Sequence, residues 1–271
     1  MTVASPILVT GGTGTLGRLV VPLLREAGCE VRILSRSRRE SGAGVEYVTG
    51  DLSTGDGIDA AVDGAKTILH CAGSAKGDDQ KARVLVRATT RAGAPHLVNI
   101  SVVGADRVPV VSGMDRAMFG YFGAKRMAEK VIESSGLPWT TLRASQFHDL
   151  TLTVVAQMAK LPIIPVPAGV RFQPIDFGEV AARLVELALG RPSGLVPDLA
   201  GPRAFGMDEL VRSYLRATGR RRLIMPVRLG GQAYRAIRAG ANLAPDRAVG
   251  HRTWEQFLAE HVGRGRTVPV S

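Results

Sequence analysis

Cysteine is scarce: Cys29 and Cys71 are the only two in 271 residues, and they lie in separate segments without metal-ligand spacing. Neither a disulfide framework nor a zinc site organises such a chain, and no metal is expected. Long apolar runs are missing too, and none approaches the ~18 residues of a membrane span. The amino terminus MTVASPILVT enters a strand pattern at once, without a charged leader and a long apolar stretch, so a cytoplasmic protein with no membrane partner is expected. Aromatic residues make up 5% of the chain and do not interleave with the basic ones. Lys and Arg are spread along the sequence, with short clusters at Arg36 to Arg39 and Arg220 to Arg222. The formal net charge of +11 therefore reads as a solvated basic surface, and no nucleic-acid partner is expected. Repeats and low-complexity segments are absent as well.

What is present is an ordinary globular composition, 45% hydrophobic and 22% charged, in a chain long enough to bury a sizeable core. Its organising stretch is Pro6 to Val20, PILVTGGTGTLGRLV. An apolar run, Ile7 to Val9, leads into the spaced glycines Gly11, Gly14 and Gly17. Leu16, Val20, Val21 and Leu24 then recur at helical spacing. A strand, a glycine turn and a helix in this order form a diphosphate cradle: one glycine turns the chain, one admits the anion to backbone N–H groups, and one seats the helix. The helix directs the positive end of its dipole at the anion.

Further strands are expected at Glu30 to Ser35, Val45 to Thr49, Thr67 to Cys71, Leu97 to Ser101 and Trp139 to Arg143. Helices are expected at Ile58 to Val62, Lys81 to Thr90 and Phe122 to Ser134, the last ended by Gly136 and Pro138. This alternation implies an α/β fold, a Rossmann-type doubly wound parallel sheet with ligands at the carboxyl ends of its strands. The dinucleotide domain is expected over residues 1–145. Residues 146–271 then form a smaller mixed α/β substrate lobe, interleaved with the last strands of the main fold. That lobe shows helical periodicity at Leu150 to Lys160, Phe177 to Leu189, Met207 to Thr218 and Thr253 to His261, and a strand at Ile163 to Val166. The tail from Gly263 to Ser271 looks frayed.

An NAD-selecting chain places an acid about 20 residues beyond the glycines. Here that place holds Ser35, Arg36 and Ser37, followed by Arg38 and Arg39. A guanidinium without a carboxylate suits a 2′-phosphate, so NADP is expected ahead of NAD. Asp51 and Leu52, after the third strand, suit the adenine edge and ring, with a helix-capping role for Asp51 the alternative. In the segment YFGAK, Tyr121 and Lys125 lie four residues apart on one helix face. An ammonium so placed lowers the phenol pKa, and the tyrosine can then exchange a proton with a substrate carbinol. Ser101, at the end of the fifth strand, is the candidate to hold the substrate oxygen.

The segments TGGTGTLG, SRSRR, GDL, HCAG, NIS and YFGAK, in this order, resemble the short-chain dehydrogenase/reductase superfamily. GLPWTTLRASQFHD and FQPIDFGEVA resemble its atypical branch, the NmrA-like or NAD(P)H-binding proteins. The resemblance covers most of Ile7 to about Gly201. It implies Gly11, Thr13, Gly14, Leu16 and Gly17 at the diphosphate, Ser35 and Arg36 near the adenosine ribose, and Asp51 and Leu52 at adenine. It also puts Cys71, Ala72 and Gly73 along the cofactor, and Ser101, Tyr121 and Lys125 at the reacting end, with Lys125 also on the nicotinamide ribose. The separation of Ser101 from Tyr121, 121 − 101 = 20 residues, is longer than in compact members, which makes Ser112 a competitor.

Gln146, Phe147 and His148 follow the sixth strand, where a substrate would lie. His148 is either a proton donor or a partner of backbone groups, and Asp176 either caps a helix or touches substrate. The expected function is an NADP-dependent oxidoreductase acting on a carbonyl or activated double bond of a small, largely apolar molecule, as a monomer or homodimer. The alternatives are a non-catalytic NADP(H)-binding redox sensor or assembly protein, which the branch also contains, and a sugar-nucleotide epimerase, which shares the fold.

Overall fold

A computed structural model describes residues 5–73 and 77–262. The expectations for residues 1–4 and for the tail from Gly263 lie outside the described residues. Described elements divide into two compact units, through which the chain passes alternately. The first takes the described residues up to Ser101, then Gly120–Arg143 and Phe177–Pro197; the second takes Val102–Phe119, Ala144–Asp176 and the described residues from Asp198. A single boundary after residue 145 therefore does not describe the division.

In the first unit, β1 (Ile7–Thr10), β2 (Val31–Ser35), β3 (Val45–Thr49), β4 (Thr67–His70), β5 (His96–Val102), β6 (Trp139–Ala144) and β9 (Gly194–Leu195) form one parallel sheet. Its order is β3-β2-β1-β4-β5-β6-β9. Ile7 pairs with Val31 on one side and Thr67 on the other, so the winding reverses at β1 and opens a crevice at the carboxyl ends of β1 and β4. All residues of β1, β4 and β5 are buried, as expected of strands covered on both faces. Helix α1 (Thr15–Glu26) buries Leu16, Gly17, Val20 and Leu24 and packs against α6 (Phe177–Leu189). The other face buries Leu8, Ile68 and Leu97 with residues of α2 (Ile58–Val62), α3 (Asp78–Arg91) and α4 (Gly113–Glu133), among them Ile58, Leu85 and Ile132.

Helix α4 begins nine residues before the expected start at Phe122 and is kinked at Phe119, whose φ of −131° and ψ of 15° leave the helical region. Its first turn is stabilised by side chains. Asp115 N–H donates to Ser112 Oγ at 3.0 Å, and Asp115 Oδ2 accepts from Ser112 N–H at 3.0 Å, a reciprocal cap.

The second unit contains α5 (His148–Met158), the parallel pair β7 (Ile163–Pro167) and β11 (Leu223–Val227), and the antiparallel pair β8 (Arg171–Phe172) and β10 (Phe205–Gly206). Helices α7 (Met207–Ala217), α8 (Gln232–Arg238) and α9 (Trp254–Val262) complete it. Leu152, Ile164, Phe205, Leu210, Trp254 and Phe257 share its core.

Candidate functional site

The glycine turn follows β1. Gly11 has φ +72°, and a Cβ on it would stand 2.6 Å from the Ala72 nitrogen, so the turn lies directly against the chain leaving β4. Gly17 serves another contact: a Cβ there would come within 2.2 Å of Gly11 O, and α1 can rest on the turn because that atom is missing. Gly14 is the N-cap of α1, where no side chain caps the helix and no acid stands in the first turn. The N–H groups of that end are thus left to an anion.

A cleft of about 350 Å³ opens from the turn. Gly11, Thr13 and Gly14 line it, as do Ser35 and Arg36 after β2, Asp51 and Leu52 after β3, and Cys71, Ala72 and Gly73 after β4. Leu16 and Gly17 do not line it: Leu16 is buried under α1, and Gly17 acts through the packing contact just described. Arg36 is exposed, whereas Ser35 is buried and donates its hydroxyl to Ser37 O at 2.8 Å. Asp51 Oδ1 accepts from Ser53 N–H at 2.7 Å. That bond, aided by the Arg36 and Lys81 charges, holds its carboxyl below the ordinary range. Burial pushes the Cys71 thiol up to about 12, which makes it inert.

Lys125 is 6% exposed while Tyr121 is 38% exposed. The Lys125 ammonium lies 5.7 Å from the centre of the Tyr121 ring. It also lies 3.1 Å from Asp78 Oδ2 and donates to Ile100 O at 3.4 Å. Contrary to the expectation of a lowered phenol, Tyr121 sits above its ordinary value. Burial raises it, and the Asp78 carboxylate works against the pull of Lys125. Ser101 is 4% exposed, and its Oγ is buried without a hydrogen-bond partner. Ser112, its competitor, donates its hydroxyl to Asp115 Oδ2 at 2.8 Å and is committed to capping α4.

The three residues expected at substrate hold the second unit together. Gln146 Nε2 donates to Asn242 O at 3.1 Å, and its Oε1 accepts from Gln173 N–H at 3.0 Å. Phe147 is the N-cap of α5 and bridges to Ile175. His148 is fully buried, donates Nε2–H to Arg252 O at 3.1 Å, and stacks on Phe257 with ring centres 4.9 Å apart. None of the three lines the cleft, and the backbone-bonding alternative describes His148. Asp176 is ion-paired with Arg252 at 2.5 Å.

Five residues escaped the sequence reading. Leu34, Gly50, Ser53 and Lys81 line the cleft, and Asp78 reaches Lys125. The first three flank positions already singled out, and a signal for them lay in that adjacency. Lys81 stands at the expected start of a helix following a nucleotide-side strand, where a cation facing the cleft could have been considered.

A family model described as NAD(P)H-binding matches residues 11–161. The chain is similar to (4-alkanoyl-5-oxo-2,5-dihydrofuran-3-yl)methyl phosphate reductase of Streptomyces griseus subsp. griseus, with 29% identity over 220 residues, 79% of this chain and 74% of that protein. It is also similar to NAD(P)H azoreductase of Xenophilus azovorans, 28% identical over 222 residues, with the same two shares of 79% and 74%. Among solved structures, NADPH-dependent quinone oxidoreductase QOR2 of Escherichia coli complexed with NADPH matches with a TM-score of 0.78. That match covers 94% of this chain and 99% of the other at 17% identity, which is a likeness of fold.

Proposed function

Because the chain belongs to the NAD(P)H-binding family, we propose that it is an NADP-dependent oxidoreductase that reduces a carbonyl or activated double bond of a small, largely apolar molecule. One observation carries the reading: Gly73 lines the cleft, and a Cβ on Gly73 would stand 2.9 Å from Lys125 Nζ. The ammonium therefore lies directly behind Gly73, a residue of the cleft that the glycine turn opens, although Lys125, Tyr121 and Ser101 are not themselves among the residues that line it. Residues of the cleft fit a dinucleotide phosphate. The uncapped end of α1 suits the diphosphate and Arg36 the 2′-phosphate; Ser101, which does not line the cleft, keeps a buried hydroxyl without a partner that suits an oxygen at the reacting end.

The bound cofactor supplies the hydride. Tyr121 donates its phenolic proton to the substrate oxygen as negative charge develops there, and Ser101 donates a hydrogen bond to the same oxygen. Lys125 stabilises the phenolate left behind and, with the cofactor bound, would hold its ribose hydroxyls. A phenol held above its ordinary value is protonated at neutral pH, the state a proton donor requires. The reading includes a cytoplasmic setting, supported by the free thiols of Cys29 and Cys71. No helix among the described residues is long and apolar enough to cross a membrane.

NADPH consumption against a panel of carbonyl and quinone substrates tests the proposal. Tyr121→Phe is expected to lower turnover about 10²–10⁴-fold, the usual worth of a positioned acid, with NADPH binding by fluorescence unchanged. Unchanged turnover removes Tyr121 from the mechanism. Tight NADPH binding by the wild type with no consumption across the panel replaces the proposal with the sensor or assembly reading.

A further inference from the structure

Asp78, the first residue of α3, is 1% exposed. A carboxylate so far from water needs opposite charge beside it. Two lysines supply it: Lys125 Nζ lies 3.1 Å from Oδ2, and Lys81 Nζ, one turn along α3, lies 3.9 Å from Oδ1. The contact with Lys125 joins residues 125 − 78 = 47 apart and ties α3 to α4 within the first unit. On its other side, the ammonium meets Ile100 O and the open space left by the missing Gly73 side chain.

We infer that Asp78 is a positioning residue for the Tyr121–Lys125 pair: its carboxylate fixes the ammonium beside Gly73 and offsets the field that this ammonium exerts on the phenol. The inference rests on Tyr121 as proton donor and adds what sets its readiness to release the proton. A lysine alone beside a tyrosine favours the phenolate. A lysine half-neutralised by a buried carboxylate leaves the tyrosine protonated until substrate draws the proton away.

Among the described residues, the other titratable groups near this pair add little charge in the neutral range. On β4, His70 is held down to about 4 by burial and by Lys125, so it is neutral. The neighbouring Cys71 thiol, at about 12, is protonated. On α4, Glu129 is one turn beyond Lys125 and is paired with Arg143, whose Nη2 lies 2.7 Å from Oε2. Asp78 and Lys81 on α3 are left as the opposing charges. Removing a negative charge makes every nearby proton easier to lose, whether it leaves the phenol or the ammonium. Removing a positive charge does the reverse.

Two readouts test this in parallel. One is the ultraviolet difference titration of Tyr121, taken as each protein minus its Tyr121→Phe counterpart; the other is the pH profile of kcat/KM. Asp78→Asn is expected to move the Tyr121 step and the alkaline limb of the profile to lower pH by about one unit, the lower end of what a nearby charge does to a titrating group. Asp78→Glu, which keeps the charge, restores most of the wild-type position. Lys81→Met moves both curves the opposite way. A slower Asp78→Asn enzyme with both curves unmoved means a merely structural residue and overturns the inference; shifts of the same sign in Asp78→Asn and Lys81→Met do so as well. If Asp78→Asn does not fold, an upward shift in Lys81→Met with Asp78→Glu near wild type supports the inference, and no shift in Lys81→Met overturns it. The ultraviolet titration needs no turnover, so a failure of the reductase reading is separable from a failure here.

Discussion

Replacing Gly17 with alanine tests how α1 is seated on the glycine turn. The added Cβ would stand 2.2 Å from Gly11 O, 2.5 Å from Gly12 Cα and 2.8 Å from Gly12 C, and every one of these is a backbone atom. No rotamer change can relieve such a collision. To restore an ordinary contact of 3.4 Å, the helix must retreat by 3.4 − 2.2 = 1.2 Å. Overpacking of this kind costs about 1–3 kcal/mol, and exchanging glycine for alanine inside a helix returns about 1 kcal/mol. With rigid neighbours the cost is expected near the top of that range, about 3 kcal/mol, for a net loss of about 2 kcal/mol, or roughly 4–8 °C in Tm for a chain of this size.

The retreat also carries the first-turn N–H groups away from the anion they serve, so NADPH affinity is expected to fall more than about tenfold, 1.4 kcal/mol or more. Gly14→Ala is the control. Its Cβ would meet just Gly11 O, at 3.2 Å, and its φ of −79° suits alanine. Tm is expected within about 2 °C of wild type by the same scale, while the methyl group obstructs the diphosphate and binding is lost. Thermal melts by circular dichroism and a fluorescence titration with NADPH read both effects. A Gly17→Ala protein that melts with the wild type and binds NADPH equally well would falsify the packing argument.

Two further outcomes concern charge. Arg36→Ala is expected to weaken NADPH binding by about 10–100-fold, the worth of a charge-assisted contact of roughly 1.5–3 kcal/mol, and to leave NADH binding unchanged; equal losses for both cofactors dismiss Arg36 as the 2′-phosphate residue. His70 is buried against Thr10 Oγ1 at 2.7 Å, and burial together with the Lys125 charge pushes its imidazole from the ordinary 6.5 down to about 4. Between these values the unfolded chain binds a proton that the folded chain does not, so stability is present above the upper value and is lost as pH falls toward the lower one. Burial depresses His96 as well, with the same sign. Tm should decline as pH falls through this window, and His70→Gln should flatten the decline; parallel profiles rule out the histidine as its source.

Strands β1, β4 and β5 are legible because each is an apolar run buried on both faces. Val45–Thr49 was placed at its observed bounds, and Phe177–Leu189 was equally clear as an amphipathic helix. The two-residue strands β8, β9 and β10 carry too short a pattern to be read, and they exist because distant segments pair with them. The early start of α4 was hidden by Gly113 and Gly120, although Ser112 with Asp115 three residues later was a capping signal that could have been read. Within the site, the glycines, Arg36 and the Tyr121–Lys125 spacing are local patterns and could be seen. The role of Asp78 could not, since Lys125 lies on another helix and no periodicity records that tie. The Gln146–His148 segment reads as substrate-facing by its place after β6, whereas burial and backbone partners reveal it as framework.

The chain's passage between its two units has a consequence for how the protein is made. It crosses at 101/102, 119/120, 143/144, 176/177 and 197/198. Helix α1 is covered by α6, so the apolar stripe of residues 15–26 finds its cover only after residues 177–189 have left the ribosome. A nascent chain of the first hundred residues holds the nucleotide turn and α1 to α3, but lacks α4 and α6, which complete the cover of its sheet. Contacts this remote in sequence make folding slow and leave sticky intermediates. No straight cut yields either unit alone: a fragment ending near residue 145 lacks α6 and β9, and one beginning there lacks residues 102–119.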